Sequence, residues 1–310
     1  PSGMVENNSI SLGFAQADDQ HYIVLRTPLS QRHKGTAHSG FYLKPDSFDG
    51  WAYILVGSAF TRIQGIEIDG NGLDLGGGIY TLAGGGAGFE VSDCLIHDLT
   101  GIGIRLNGNS SGRPSSARLY DNILYDVSSS SIYLTAATGQ SRAFNVYVCN
   151  NTVYNGTGSG LSITSDAALT GRVWAVNNLM ADNADNYNYT AGTWMAASDY
   201  NLTSGTDAQM PGVNSISNAT SANLFRDITP GSEDLRLKSG AAAISAGLDV
   251  GVRNSVSPNP AVAISRPVAM TYAGRTRLTR RVAAKAAKAA RNACGRSHTE
   301  ASRGFSSRTS

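Results

Sequence analysis

Short segments in which apolar residues alternate with polar ones recur along the chain at a near-constant spacing. Four copies align, and they begin at Val91, Leu119, Val148 and Ala175. A weaker copy begins at Ile63, one such interval before the first of them. Alternation with a period of two is typical of a β-strand with one buried face, so the pattern predicts a strand repeat of about 28 residues.

A second strand signal follows each copy at a similar offset. Two examples are Gly103-Ile104-Arg105-Leu106 and Gly160-Leu161-Ser162-Ile163. Each unit is therefore predicted to hold about three short strands and no amphipathic helix, which excludes ankyrin, tetratricopeptide and leucine-rich arrays. The pattern predicts an all-β fold, a parallel β-helix in which every repeat forms one coil and the coils stack into three sheets.

One position of the repeat is rich in asparagine, because it holds Cys94, Asn122, Asn151 and Asn178. Strands of neighbouring coils lie about 4.8 Å apart, so these side chains are expected directly above one another. Buried amides at that distance can hydrogen-bond along the stack, which predicts an asparagine ladder. Cys94 and Cys149 occupy different positions two coils apart, so we do not expect them to form a disulfide.

The repeated motif Asn150-Asn151-Thr152-Val153, followed by the Gly160-Leu161-Ser162-Ile163 type of segment, resembles the right-handed parallel β-helix proteins of the pectate-lyase-like superfamily. The resemblance covers roughly residues 50 to 202, and residues 31–36, 237–240 and 244–247 resemble the ends of bacterial and phage members. It implies a right-handed solenoid that handles polysaccharide or cell-surface glycan. It also implies a place outside the cytoplasm, whether extracellular, periplasmic, or on a cell or virion surface.

The repeat divides the chain into four predicted parts. Residues 1–50 are expected to supply a cap and the first coils, residues 51–202 the regular β-helix, and residues 203–262 the last coils and covering loops. Caps are expected because an open solenoid must protect its terminal strands. Residues 263–310 form a basic tail, predicted to be disordered, for which binding to an acidic surface is the alternative.

Composition and charge limit the classes of partner that the chain is predicted to bind. The chain holds 35 Gly and only 15% charged residues, which favours short strands and turns. Its net charge of +2 conceals a tail of +10 and a body, residues 1–265, of −8. The body is therefore not predicted to bind nucleic acid. No apolar run of about 18 residues occurs, so no membrane span is predicted.

A candidate binding row follows from the strand alternation. With the apolar residues of the second strand signal pointing inward, Tyr80, Arg105, Tyr133 and Ser162 point outward on successive coils. Tyrosine faces stack on sugar rings and a guanidinium binds a uronate carboxylate, so the row is a candidate carbohydrate site. The alternative is ordinary surface decoration of a sheet. Arg113 and Arg142 occupy matching loop positions one repeat apart and are candidates for a binding wall beside the row.

Lyase chemistry needs a base beside the uronate carboxylate and a cation that stabilises the developing charge. The resemblance suggests Arg105 as the base, and His97 and Tyr133 are the other candidates for proton transfer. Calcium would require clustered oxygen ligands, which Asp69, Asn71 and Asp74 offer on a glycine-rich turn. The segment lacks the full EF-hand spacing, and a plain turn is the preferred interpretation.

Hydrolase chemistry would need two carboxylates. Asp98 and Asp126 occupy equivalent positions on neighbouring coils, but their column continues as Asn155 and Asp182, which indicates a turn position. Whether the chain is an enzyme stays open, and a lyase is favoured over a hydrolase. The sequence predicts a carbohydrate-active β-helix that binds or acts on polysaccharide, with a uronate lyase as one form. The alternative is a non-catalytic adhesin, phage-fibre component or structural solenoid.

Overall fold

We analysed a computed structural model of the protein. It describes residues 4–5, 9–13, 17–47, 52–74, 76–82, 85–107, 115–135, 144–163, 172–189 and 194–248. Within these ranges one short α-helix, Ser221–Leu224, and one 3-10 turn, Leu29–Gln31, accompany the strands. Neither described helix has the length and apolar character of a membrane span.

The described strands are short and follow one another at regular intervals. In chain order they are β1 Met4–Val5, β2 Ile10–Leu12, β3 Ile23–Arg26, β4 Tyr42–Lys44, β5 Ile54–Val56, β6 Thr61–Gln64, β7 Glu67–Asp69, β8 Gly77–Thr81, β9 Glu90–Ser92, β10 Leu95–Leu99, β11 Ile102–Asn107, β12 Ser115–Tyr120, β13 Ile123–Val127, β14 Ile132–Thr135, β15 Phe144–Cys149, β16 Thr152–Tyr154, β17 Ser159–Ile163, β18 Val173–Val176, β19 Leu179–Ala181, β20 Asp185–Tyr189, β21 Leu202–Thr203, β22 Phe225–Asp227 and β23 Asp234–Leu237.

These strands form three parallel sheets and one small hairpin. Sheet A contains β1, β4, β7, β10, β13, β16, β19 and β21; sheet B contains β2, β5, β8, β11, β14, β17 and β20; sheet C contains β3, β6, β9, β12, β15 and β18. Each of the strands β1 to β17 pairs with the strand three places later, so every regular coil contributes one strand to each sheet, and sheet A ends where β19 pairs with β21. The predicted all-β solenoid with three sheets and about 28 residues per coil is confirmed.

The core lies inside the tube formed by the three sheets. One apolar file comes from each sheet, and the registers place equivalent residues side by side, as with Ile96, Leu124 and Val153 of sheet A. These side chains are 0% exposed. Gly103 fits against this file because a Cβ there would lie 2.7 Å from Leu124 Cδ2 and 2.5 Å from the Ser131 carbonyl oxygen. Gly78 and Gly160 at the equivalent positions meet similar limits, since a Cβ would lie 2.8 Å and 2.7 Å from a carbonyl oxygen of the next coil.

Two corners of each coil depend on left-handed backbone. At the corner between sheets C and A, φ is 54° to 59° at Asp93, Asp121, Asn150 and Asn177. At the end of the sheet A strands, φ is 51° to 54° at Asp98, Asp126, Asn155 and Asp182. Asp and Asn tolerate this region better than other residues with a side chain, which explains why both columns hold them.

The asparagine ladder is confirmed and extends to Asn201. Asn122 Nδ2 donates to Asn151 Oδ1 at 2.9 Å, and Asn151 Nδ2 donates to Asn178 Oδ1 at 3.0 Å. Asn178 Nδ2 donates in turn to Asn201 Oδ1 at 3.1 Å. Each amide also donates to a backbone carbonyl, as Asn151 does to Leu119 at 2.9 Å. The buried amides therefore lock successive coils in register.

Cys94 occupies the ladder position on the preceding coil. It is buried and free, which confirms that it does not pair with Cys149. Burial raises the pKa of its thiol to about 12. Since the thiolate is the reactive form, Cys94 is a packing residue.

Two segments outside the repeat cover the outer face of sheet A. The first, here the N-terminal arm, is residues 31–41; the second, here the C-terminal cover, is residues 221–243. The cover packs Leu224, Phe225, Leu235 and Leu237 on outward residues of sheet A that include Leu95, Ile123 and Leu179. An antiparallel bridge between Thr36 and Asp234 joins the arm to the cover.

Candidate functional site

The predicted binding row is one continuous file on the outer face of sheet B. Tyr80 pairs with Arg105, Arg105 with Tyr133, and Tyr133 with Ser162. Their inward neighbours Ile79, Ile104 and Ile132 are fully buried, which fixes the row on the outside. The strands around it are held by the parallel ladder, so the row stands on rigid elements.

Arg105 lies between the two aromatic rings of the row. Its Cζ is 4.8 Å from the centroid of the Tyr80 ring and 5.3 Å from that of Tyr133. Its Nε lies 3.4 Å from Asn107 Oδ1, and Asn107 is itself fixed by an Nδ2 hydrogen bond of 2.6 Å to the Thr81 carbonyl. In the described part of the chain, Arg105 forms no ion pair with a carboxylate. The geometry therefore presents a guanidinium that is positioned between two rings and has no carboxylate partner among the described residues.

Exposure differs along the row. The Tyr80 residue is 8% exposed, whereas Arg105, Tyr133 and Ser162 are half-buried. Tyr80 therefore supports Arg105 from one side, and Tyr133 offers the more accessible ring. The register continues the row to Asn188, which pairs with Ser162 and is also half-buried. Asn188 was not among the predicted residues, although its place in the repeat would have identified it.

His97 lies on a different face from Arg105 and Tyr133. It belongs to β10 of sheet A, its side chain is 1% exposed, and its ring lies 5.7 Å from that of His38 in the N-terminal arm. Its ring stacks on that of Tyr125, with centroids 5.0 Å apart and planes 8° apart. The structure thus brings together Arg105 and Tyr133 of the predicted catalytic set and does not bring His97 to them.

His97 is held between carboxylates. Its Nδ1 lies 2.8 Å from Asp98 Oδ2 and its Nε2 lies 3.4 Å from Glu67 Oε1. Burial acts to lower the pKa of His97, but the hydrogen bonds to Asp98 and Glu67 and the charge of Asp69 outweigh it and raise the pKa to about 9.

The N-terminal arm adds His38 to this cluster. His38 Nε2 lies 2.8 Å from Asp69 Oδ2, which also accepts a 2.8 Å hydrogen bond from Lys44 Nζ. Burial opposes ionisation of Asp69, yet the hydrogen bonds from Lys44 and the Asn71 N–H hold its pKa below the usual range. Two groups in the cluster have ligand atoms within 4.8 Å of one another, namely His38, Glu67 and His97, and Asp69, His97 and Asp98.

The predicted calcium ligands occupy a turn whose side chains bond to the protein. Asp69 Oδ1 accepts the Asn71 N–H at 2.8 Å, and Asn71 Nδ2 donates to the Pro45 carbonyl at 3.1 Å. Asp74 Oδ1 accepts the Gly76 N–H at 3.3 Å. These contacts are those of a plain turn, and calcium binding at the three residues stays a prediction.

The paired carboxylates considered for hydrolysis have separate structural partners. Asp98 contacts His97, whereas Asp126 Oδ1 accepts a 2.6 Å hydrogen bond from Asn155 Nδ2. Burial raises the pKa of Asp126, which also hydrogen-bonds to Glu233 of the C-terminal cover. Together with their positive φ, these contacts support the turn role of the column.

The loop arginines Arg113 and Arg142 and the basic tail lie outside the described residues, so their predicted roles stay predictions. The described geometry provides a half-buried row on the outer face of sheet B and a buried histidine cluster on sheet A. A comparison of the chain with protein-family models, with curated proteins and with solved structures finds no match.

Proposed function

We propose that the protein binds an anionic polysaccharide, outside the cytoplasm, along the outer face of sheet B. The observation that carries the proposal is the guanidinium of Arg105 placed between the rings of Tyr80 and Tyr133. A guanidinium pairs with a carboxylate through two parallel hydrogen bonds, and a tyrosine ring packs on the apolar face of a sugar. The row offers both contacts on adjacent strands.

The charge of sheet B supports an anionic ligand. Its described strands contain one basic residue, Arg105, and one acidic residue, Asp185 of β20. The two lie three strands apart in the sheet order. A carboxylate that approaches Arg105 therefore meets no nearby acid from these strands, although residues 1–265 as a whole are acidic. Ser162 and Asn188 continue the row with groups that donate and accept hydrogen bonds.

Uronate lyase activity is the second candidate, and the adjacency of Arg105 and Tyr133 favours it over hydrolysis. The two residues are paired in the register of β11 and β14. One could take the proton beside the carboxylate while the other contacts the sugar oxygens. A non-catalytic adhesin, phage-fibre component or structural solenoid is the remaining alternative.

Affinity electrophoresis tests the binding proposal. The full chain is run through gels that contain polygalacturonate, alginate or a neutral glucan. We expect retardation by the uronate polymers, with a loss in Arg105→Ala and a smaller loss in Tyr133→Ala. The matched control is Arg62→Ala, because Arg62 also lies over a tyrosine ring, 3.5 Å from the Tyr22 centroid, but on sheet C. Equal retardation of Arg105→Ala and wild type would refute the site.

A second assay separates binding from cleavage. The same polymers are incubated with the protein and followed by ultraviolet absorbance for unsaturated ends and by a reducing-sugar assay. Unsaturated product that disappears in Arg105→Ala supports the lyase. Retardation without product supports a non-catalytic binding module. If no polymer gives retardation or product, a structural role as a solenoid is the remaining alternative.

A further inference from the structure

Two histidines and a glutamate meet where the N-terminal arm crosses sheet A. His38 belongs to the arm, Glu67 to β7 and His97 to β10, and their ligand atoms lie within 4.8 Å of one another. The side chains of Glu67 and His97 are 0% and 1% exposed, whereas that of His38 is 45% exposed. The cluster is therefore buried on the side of the sheet and open to solvent at His38.

The Glu67 carboxylate has an unused oxygen at this place. Its Oε1 accepts a 2.6 Å hydrogen bond from the backbone N–H of His38 and lies 3.4 Å from His97 Nε2. Its Oε2 is buried and has no hydrogen-bond partner. A buried carboxylate oxygen without a partner is costly, because burial removes its hydration without replacement. A cation bound to Oε2 would supply the missing interaction.

Each histidine already has one ring nitrogen directed at a second carboxylate. His97 Nδ1 lies 2.8 Å from Asp98 Oδ2, and His38 Nε2 lies 2.8 Å from Asp69 Oδ2. In metal sites a histidine ligand commonly donates its other N–H to a carboxylate, which orients the ring and increases its basicity. The arrangement leaves one nitrogen of each ring available as a ligand.

The charge of the cluster fits a divalent cation. Glu67, Asp69 and Asp98 contribute three carboxylates, and Lys44 contributes one cation at 2.8 Å from Asp69. Because the carboxylates raise the pKa of His97 to about 9, a bound ion must displace a proton from this ring. With both imidazoles neutral, two negative charges remain unbalanced. An ion of charge +2 would neutralise them.

We propose that His38, Glu67 and His97 bind one divalent transition-metal ion of the Zn²⁺ class. Two imidazoles and a carboxylate favour such an ion over Ca²⁺ or Mg²⁺, which take oxygen ligands. Bonds of about 2.0 to 2.2 Å require the three ligand atoms to move closer together, which the half-exposed His38 allows. The ion ties the N-terminal arm to β7 and β10, and a water molecule completes its coordination.

Metal titration of the full chain tests this site after treatment with a chelator. Calorimetry with Zn²⁺ and visible absorption with Co²⁺ are compared for wild type, His38→Gln and Asp98→Asn, with Ca²⁺ as the reference ion. We expect one fewer bound Zn²⁺ in His38→Gln and an affinity about 10- to 100-fold lower in Asp98→Asn. His21→Gln is the matched control, because His21 is an exposed histidine that also contacts an aspartate, Asp18.

Three results would overturn the proposal. They are an unchanged Zn²⁺ stoichiometry and affinity in His38→Gln, an equal loss in His21→Gln, and Ca²⁺ binding as tight as Zn²⁺ binding. Glu67→Gln is a further variant with a buried change, so its far-ultraviolet circular dichroism is recorded before its titration. His38→Gln alters a half-exposed side chain, so its titration tests the metal site even if Glu67→Gln does not fold.

Discussion

The outer faces of sheets A and B are made by the same coils and differ in what lies on them. On sheet A, the N-terminal arm and the C-terminal cover bury His97, Tyr125 and Tyr154. On sheet B, Arg105 and Tyr133 remain half-buried in a row without such a cover among the described residues. The repeat therefore builds both faces, and the segments outside the repeat determine which of them a large ligand can reach.

The largest expected difference between the faces is in stability. Phe225→Ala removes a fully buried ring of the cover that packs on Tyr154, with ring centroids 5.5 Å apart. We expect a loss of about 3 to 5 kcal/mol in the free energy of unfolding, measured by urea denaturation. Tyr133→Ala on the open face is expected to cost about 0.5 kcal/mol. Equal losses would remove the distinction between a covered face and an open one.

The second prediction concerns binding on the open face. Arg105→Ala is expected to weaken uronate binding about 10- to 100-fold, because a charge-assisted hydrogen-bonded pair contributes about 1.5 to 3 kcal/mol. Its thermal unfolding should stay close to that of wild type. Arg105→Lys keeps the charge and loses the planar fork, so an intermediate affinity is expected. Unfolding of Arg105→Ala at a much lower temperature would assign the residue to the fold.

The third prediction concerns the pH dependence of stability that Glu233 causes on the covered face. Burial first, and then the charge of Asp126, raises the pKa of Glu233 above its usual range. The folded state thus holds this proton more tightly than the unfolded state, so its contribution to stability is lost as pH rises through the raised pKa. Glu233→Gln keeps a donor for Asp126 without a proton to lose. We expect its melting temperature to fall less than that of wild type between about pH 4 and 7, by about 2 °C.

A substitution at Asp182 provides the control for this dependence of melting temperature on pH. Asp182 occupies the same repeat position as Asp126 on a later coil and is exposed. Asp182→Asn should follow the wild-type profile. If Glu233→Gln and Asp182→Asn reduce the fall in melting temperature equally, the effect comes from total charge and not from the Asp126 and Glu233 pair.

The smallest expected effect lies at the polar end of the row. Ser162 pairs with Tyr133 in the register and contributes one hydroxyl. Ser162→Ala should weaken glycan binding about 2- to 5-fold, as expected for one neutral hydrogen bond, and should leave stability unchanged. The measurement is the gel retardation used for Arg105→Ala. A loss as large as that of Arg105→Ala would move the centre of the site toward β17.

The repeat made the coils, the asparagine ladder and the row on sheet B predictable from sequence. Each follows from the near-constant spacing of the repeat combined with the period of two within a strand. A sign of the covered face was also present, since pairs such as Leu95-Ile96 and Ile123-Leu124 are apolar on both sides of the strand. Such continuous apolar pairs are typical of strands buried on both faces.

The histidine cluster was not predictable in the same way. His38 lies before β4, and the strand register places Tyr42 beside Glu67, so the repeat does not predict a contact of His38 with Glu67 or His97. The contact depends on where the N-terminal arm crosses sheet A, which is set by irregular backbone and by anchors such as the 3.2 Å bond from Arg32 to Asp93. The same limit explains why Glu233 was not identified as the partner of Asp126.

The bridge between Thr36 and Asp234 predicts an order of events during folding. It joins two distant parts of the chain, whereas the sheets join residues only one repeat apart. Closing a longer loop costs more entropy, and contacts distant in sequence form late. The coils are therefore expected to stack first, and the arm and cover to meet over them in a slower final phase. Until that phase is complete, the apolar outer side of sheet A is exposed to other chains.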